Sequence, residues 1–198
     1  KNQRSYTFLG IEEPEAHLHP HLQRKIFKHL FEDGHQPDRS LLLTTHSPNI
    51  ASVTPLKSVV VLRTGPEGTK GYSLAHVPLS SGELEDLQRY INATRADLLF
   101  SRGVIFVEGD AEAALLPVFA ASLGYDLDEL GIAVCNVAGV NFTPYVKLAA
   151  ALGMPHAVIT DWDPLTGVKP PLGKARALAL VVARRIARGK TPPPQAVL

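Results

Sequence analysis

The run Gly103-Val104-Ile105-Phe106-Val107 is apolar without a break and stops abruptly at Glu108-Gly109-Asp110-Ala111-Glu112. A run this short and this rich in branched side chains predicts a strand buried on both faces. The pattern then repeats: a helix over 110–123, a strand over 132–137, a helix over 143–152 and a strand over 156–160. Strands alternating with helices predict an α/β fold with a central parallel sheet flanked by helices, because parallel neighbours need a crossover between them. The carboxyl ends of such strands share one edge, and ligands collect there.

That edge is acidic in this sequence. Glu108 ends the first strand, Gly109 permits a tight turn, and Glu112 in the first helical turn faces back toward the strand end, where the helix dipole favours an anion. Asp110 has the position of an N-cap. The strand ending at Thr160 leads into Asp161-Trp162-Asp163 at what is expected to be the same edge. Four carboxylates in one crevice repel each other unless cations are present, and oxygen-only ligands select hard ions such as magnesium, manganese or calcium. Two such ions about 4 Å apart activate a water and stabilise the leaving oxygen of a phosphodiester.

The chain before residue 100 is organised differently. Residues 6–11 and 41–45 read as buried strands, the first entering Glu12-Glu13-Pro14 and the second ending at His46-Ser47-Pro48. Between them a helix is expected after Pro20, with Leu22, Ile26, Phe27 and Leu30 at helical spacing. Residues 58–62 and 72–77 predict a hairpin around Gly65-Pro66-Glu67-Gly68. Ser80 and Glu83 have capping-box spacing, and Leu84, Leu87, Ile91 and Leu98 continue one stripe, so a long helix is expected over 81–100. The expected organisation is 1–80, a connecting helix over 81–101, and a second domain over 102–198.

The stretch from Phe8 to Pro20, with Glu12-Glu13-Pro14-Glu15 at its centre, resembles the Walker B strand and D-loop of ABC-type ATPases. The resemblance implies that Glu12 orders a nucleotide magnesium and Glu13 polarises the attacking water, with His46 as the switch histidine. No Gly-x-x-x-x-Gly-Lys-Ser/Thr string occurs; the nearest, over 167–175, ends Gly173-Lys174-Ala175 and lacks the metal-binding hydroxyl. The expectation is therefore a C-terminal part of a longer polypeptide, binding ATP only in the full-length protein.

The turn carrying Glu108, Gly109 and Glu112, the loop Asn136 to Phe142, and Asp161-Trp162-Asp163 resemble the Toprim signature of topoisomerases, primases and certain nucleases. An ABC-type half followed by Toprim resembles the OLD (overcoming lysogenization defect) family of ATP-coupled nucleases. The resemblance implies a metal-dependent DNA endonuclease or nickase, with a Toprim domain truncated at its C-terminal end. Glu108 and Glu112 would hold one magnesium or manganese ion, with Asp161 and Asp163 holding a second or bridging; Glu108, Asp161 and Asp163 form the catalytic set. It also implies a homodimer through the ATPase half. Family members use a downstream lysine near the scissile phosphate; Lys169 and Lys174 are candidates without matching motif context, and Arg176 joins them as a candidate phosphate contact.

Charge and composition narrow the alternatives. Residues 164–198 hold Lys169, Lys174, Arg176, Arg184, Arg185, Arg188 and Lys190 and no acidic residue, although the whole chain is only +1. Such a segment suits a DNA backbone, and equally a solvated helix face. With 45% apolar and 20% charged residues the chain is globular in composition. One cysteine, Cys135, excludes a disulfide framework and fits a cytoplasmic protein, and no apolar run approaches the roughly 20 residues of a membrane span. His17, His19 and His21 could suggest zinc, but Pro20 breaks their alternation and a solvent-facing turn is expected. A non-catalytic DNA-binding and dimerisation module, or a topoisomerase- or primase-related piece, is the alternative. Trp162 is expected to pack beneath the acidic loop.

Overall fold

The computed structural model describes residues 6–34, 38–91 and 95–160. Asp161, Trp162, Asp163, Lys169, Lys174 and Arg176 lie outside the described residues.

The apolar run at residue 103 forms the middle strand of a parallel sheet. We number the strands β1 (Thr7–Glu12), β2 (Arg39–Thr44), β3 (Val60–Gly65), β4 (Gly68–Ser73), β5 (Gly103–Val107), β6 (Ile132–Asn136) and β7 (His156–Ile159). The helices are α1 (Pro20–Gly34), α2 (Pro48–Ala51), α3 (Ser81–Tyr90), α4 (Asp110–Ser122) and α5 (Thr143–Ala151). The sheet order β6-β5-β7 puts β5 between two parallel partners. All five β5 residues are buried, as its unbroken apolar run requires.

Alternation along β5 divides the interior into two cores. Val104 and Phe106 join Cys135, Val137, Tyr145, Leu148 and Leu152 on the α5 side, whereas Ile105 and Val107 join Ile132 and Ala157 beneath Ala113 and Leu116 of α4. The first core extends to Ala51, Leu56, Leu74, Leu87 and Leu98, so α2, α3 and the hairpin's flanks share it. Burial pushes the Cys135 thiol up to about 11.

Several boundaries differ from those expected. The hairpin is β3 antiparallel to β4, pairing up to Gly65↔Gly68, and Leu56–Ser58 and Leu74–His76 are 3-10 turns rather than strand ends. The segment from Ser81 to residue 100 is not a single α-helix: α3 runs to Tyr90, Ile91 and Arg95 are π-helical, and Ala96–Phe100 is a 3-10 helix whose Ala96, Leu98 and Leu99 are all buried. That segment packs against α2 and β6, so tertiary burial overrides the helical stripe. Strands β1 and β2 pair in parallel, with Glu12 opposite Thr44, but they are not the buried strands expected. Phe8 is 65% and Leu42 59% exposed, because among the described residues α1 is the main element packed on this two-stranded sheet.

Candidate metal site at the strand ends

The first βα turn forms as the sequence predicts, with one correction. Glu108 follows β5 and is half-buried, and Gly109 is the N-cap of α4 with φ −140° and ψ 178°. Asp110 is therefore not the cap; it is the first helical residue. Its Oδ1 is engaged instead by a residue distant in sequence, accepting a 2.6 Å hydrogen bond from Asn136 Nδ2. Glu112 folds back over the turn as expected: a methyl group added at Gly109 would lie 3.0 Å from Glu112 Oε2. A side chain at this position would press on the carboxylate above it, although the backbone angles would accept any residue.

The second βα turn is fastened to the first. Val137 N–H donates to Val107 C=O at 2.9 Å, and Gly139 N–H donates to Glu108 C=O at 3.0 Å. Asn136, only 7% exposed, accepts a 2.6 Å bond from Ala138 N–H on its Oδ1 while its Nδ2 holds Asp110. The Tyr90 hydroxyl donates to the Asn136 carbonyl at 2.9 Å, and burial raises that phenol so that it keeps its proton. Ala138 at φ 54° and Gly139 at φ 149° turn the chain sharply between these contacts.

On the other side of β5, Thr160 follows β7 and its hydroxyl donates to Glu108 Oε2 at 2.7 Å. This places the chain immediately before Asp161 beside Glu108, through the register pairing Val107 with Ile159. Among the described residues no three of His, Cys, Asp and Glu gather closely enough to hold an ion, and of the four expected ligands only Glu108 and Glu112 are described. Their chemistry fits a hard divalent cation: both are carboxylates, and neither soft sulfur nor imidazole lies in the two turns. Sequence reasoning missed Asn136 and Thr160 as partners of these turns, because both contacts are long-range.

The N-terminal acidic edge is built separately. Glu12 ends β1 and Glu13, at φ 43°, begins the turn; both are exposed. His46 Nε2 lies 3.6 Å from Glu13 Oε1, a contact that motif spacing does not predict. Glu15, given no role from sequence, holds this loop: its Oε1 accepts 2.8 Å bonds from the Thr45 hydroxyl and the His46 backbone N–H. Ser47 caps α2 and donates to Gln23 Oε1 at 2.6 Å. His17, His19 and His21 are exposed, the last two joined through their Nδ1 atoms at 2.8 Å.

Comparison with known proteins follows the same division. Residues 99–163 match the family model of the overcoming lysogenization defect protein-like TOPRIM domain, and residues 2–52 match an AAA domain model described as putative AbiEii toxin, Type IV TA system. The chain is 29% identical over 155 residues to the uncharacterized protein YbjD of Escherichia coli K12, covering 78% of this chain and 27% of that protein. It is 28% identical over 180 residues to endonuclease GajA of Bacillus cereus HuB5-5, covering 79% and 26%. An OLD nuclease of Thermus scotoductus is 26% identical over 159 residues, covering 77% and 30%. The chain thus spans under a third of these curated relatives. The solved C-terminal region of the Burkholderia pseudomallei OLD protein is 47% identical over 48% of this chain and 45% of that one, with a TM-score of 0.34.

Proposed function

Because residues 99–163 match the model of the OLD-like Toprim domain, we propose that this chain carries the metal centre of a divalent-metal-dependent DNA endonuclease or nickase. The observation that carries this reading is the convergence of Glu108, Glu112 and Thr160 on one end of β5, with Asp161 the next residue in the chain. Glu108 and Glu112 hold one ion, and Asp161 and Asp163 hold a second or bridge; magnesium or manganese suits these oxygen donors. A bound pair of ions supplies an activated water and stabilises the departing oxygen of a phosphodiester. The protein's own part is to hold the carboxylates aimed. Thr160 fixes one oxygen of Glu108, and Glu112 lies across the Gly109 turn.

In this reading residues 1–80 are the C-terminal part of an ATPase domain, 81–101 connect, and 102–198 form the nuclease domain. Glu12, Glu13 and His46 are its nucleotide-side residues, acting with ATP and as a homodimer in a longer protein. The basic residues Lys169, Lys174 and Arg176 contact DNA phosphates. Among the described residues no helix is long and apolar enough to cross a membrane.

The test is cleavage of supercoiled plasmid in manganese by the chain and by Glu108→Ala and Asp161→Ala. Nicking by the unsubstituted chain that both substitutions abolish supports the proposal. Cleavage that persists equally in both variants overturns it. DNA binding that weakens steeply with salt, without cleavage, would favour a non-catalytic, metal-stabilised DNA-binding and dimerisation module.

A further inference from the structure

The two acidic turns are tied together by one buried amide. Asn136 ends β6 at 7% exposure and makes three contacts at once: Nδ2 to Asp110 Oδ1 at 2.6 Å, Oδ1 from Ala138 N–H at 2.6 Å, and its carbonyl from the Tyr90 hydroxyl at 2.9 Å. The two side-chain partners differ in kind, one an acceptor and one a donor, so they leave the amide a single orientation. No other common side chain of this size presents a donor and an acceptor in that way. Asp110, meanwhile, has the sequence position of a metal ligand, two residues from both Glu108 and Glu112, yet one of its oxygens is engaged by Asn136.

We propose that Asn136 is a positioning residue for the metal centre, locking the 108–110 turn to the 137–139 turn, and that Asp110 is its anchor rather than a ligand. This inference rests on the metal-centre reading given above. Glu108 is held by this clamp from behind, since its carbonyl accepts the Gly139 N–H at 3.0 Å within the loop that Asn136 shapes. A loosened clamp lets the Glu108 and Glu112 carboxylates drift apart while the two cores on either side of the sheet keep their packing. Groups that orient ligands from outside the coordination sphere commonly change metal affinity about 10–100-fold when removed.

The chemistry permits a swap. Asn136→Asp puts an acceptor against the Asp110 acceptor and opposes two carboxylates. Adding Asp110→Asn restores the bond between the two side chains in reversed direction, because the new amide at position 110 donates to the carboxylate at position 136, which accepts from Ala138 N–H throughout. Asp110→Asn alone keeps an oxygen for Asn136 Nδ2.

Manganese binding to the chain, read as loss of the free-ion electron paramagnetic resonance signal well below each variant's melting temperature, tests this without relying on activity. Asn136→Asp should weaken binding about 10-fold or more, Asp110→Asn should stay within about 3-fold of the unsubstituted chain, and the double variant should recover most of the loss. If Asn136→Asp does not fold, Asp110→Asn and the swap still decide. Binding lost in Asp110→Asn as fully as in Glu108→Gln would make Asp110 a ligand and overturn the inference. So would a double variant no better than Asn136→Asp, or an Asn136→Asp chain that binds normally. If Glu108→Gln itself binds manganese normally, the metal-centre reading fails first and this inference with it.

Discussion

The Thr160 hydroxyl donates to Glu108 Oε2 at 2.7 Å, joining the ends of β7 and β5 at the acidic edge. This contact fixes one Glu108 oxygen from the side opposite the Asn136 clamp. Thr160→Val keeps the shape and removes the donor, a change that costs about 1 kcal/mol when a buried acceptor loses its partner. Manganese affinity should fall about 5-fold, and Thr160→Ser should retain most of it. Titration calorimetry of both variants checks this, and equal affinities for the two would show that the hydroxyl has no part in the site.

Gly109 tests the turn independently. Its φ of −140° suits any residue, so Gly109→Ala should leave the fold intact. The new methyl would lie 3.0 Å from Glu112 Oε2 and must displace that carboxylate. The expected outcome is an almost unchanged melting temperature with manganese binding weakened about 10-fold. A variant that binds as the unsubstituted chain does would remove Glu112 from the ligand set.

Legibility from sequence tracked the range of the interactions involved. β5 was readable to the residue, because an unbroken apolar run bounded by charge leaves few alternatives. The capping box of Ser80 and Glu83 was readable as well: both bonds are local, with Ser80 N–H to Glu83 Oε2 at 2.7 Å. Asp110 was misassigned as a cap because Asn136, its partner, is 26 positions away. The end of α3 was missed for a similar reason, since Leu98 and Leu99 enter a core assembled by distant strands. β1 and β2 were expected to be buried from composition alone, yet composition does not say what covers a sheet. Motif spacing singles out Glu12, Glu13 and His46 but gives no signal for Glu15, which holds the loop.

The Glu83 carboxylate gives a pH signature away from the site. The Lys147 ammonium, 2.8 Å away and joining α5 to α3, together with the Ser80 N–H, lowers it from 4.5 to about 2. A carboxylate whose folded value lies below its unfolded one stabilises the protein above the unfolded value and loses that contribution as pH falls toward the folded one. The melting temperature of the unsubstituted chain should therefore exceed that of Glu83→Gln at pH 6, with the gap closing between pH 4.5 and about 2. A gap that does not narrow on acidification would contradict the pairing.

Gly153 ties the hairpin to the parallel sheet. It sits at φ 59° after α5, and a methyl group there would come within 2.7 Å of the Tyr72 ring. Gly153→Ala combines left-handed strain with a clash, so urea denaturation should show a loss of about 2 kcal/mol or more. Adding Tyr72→Leu should recover part of it by removing the clash. An unaffected midpoint in Gly153→Ala would mean that Tyr72 does not pack on this turn.

Everything proposed for the acidic edge depends on where the cation sits. Anomalous diffraction from crystals of the chain soaked in manganese measures that position directly. The expected result is manganese bonded to carboxylate oxygens of Glu108 and Glu112 at the end of β5, with Asp161 or Asp163 completing the site. Manganese absent from that edge, or bound only by Glu12 and Glu13, would contradict it.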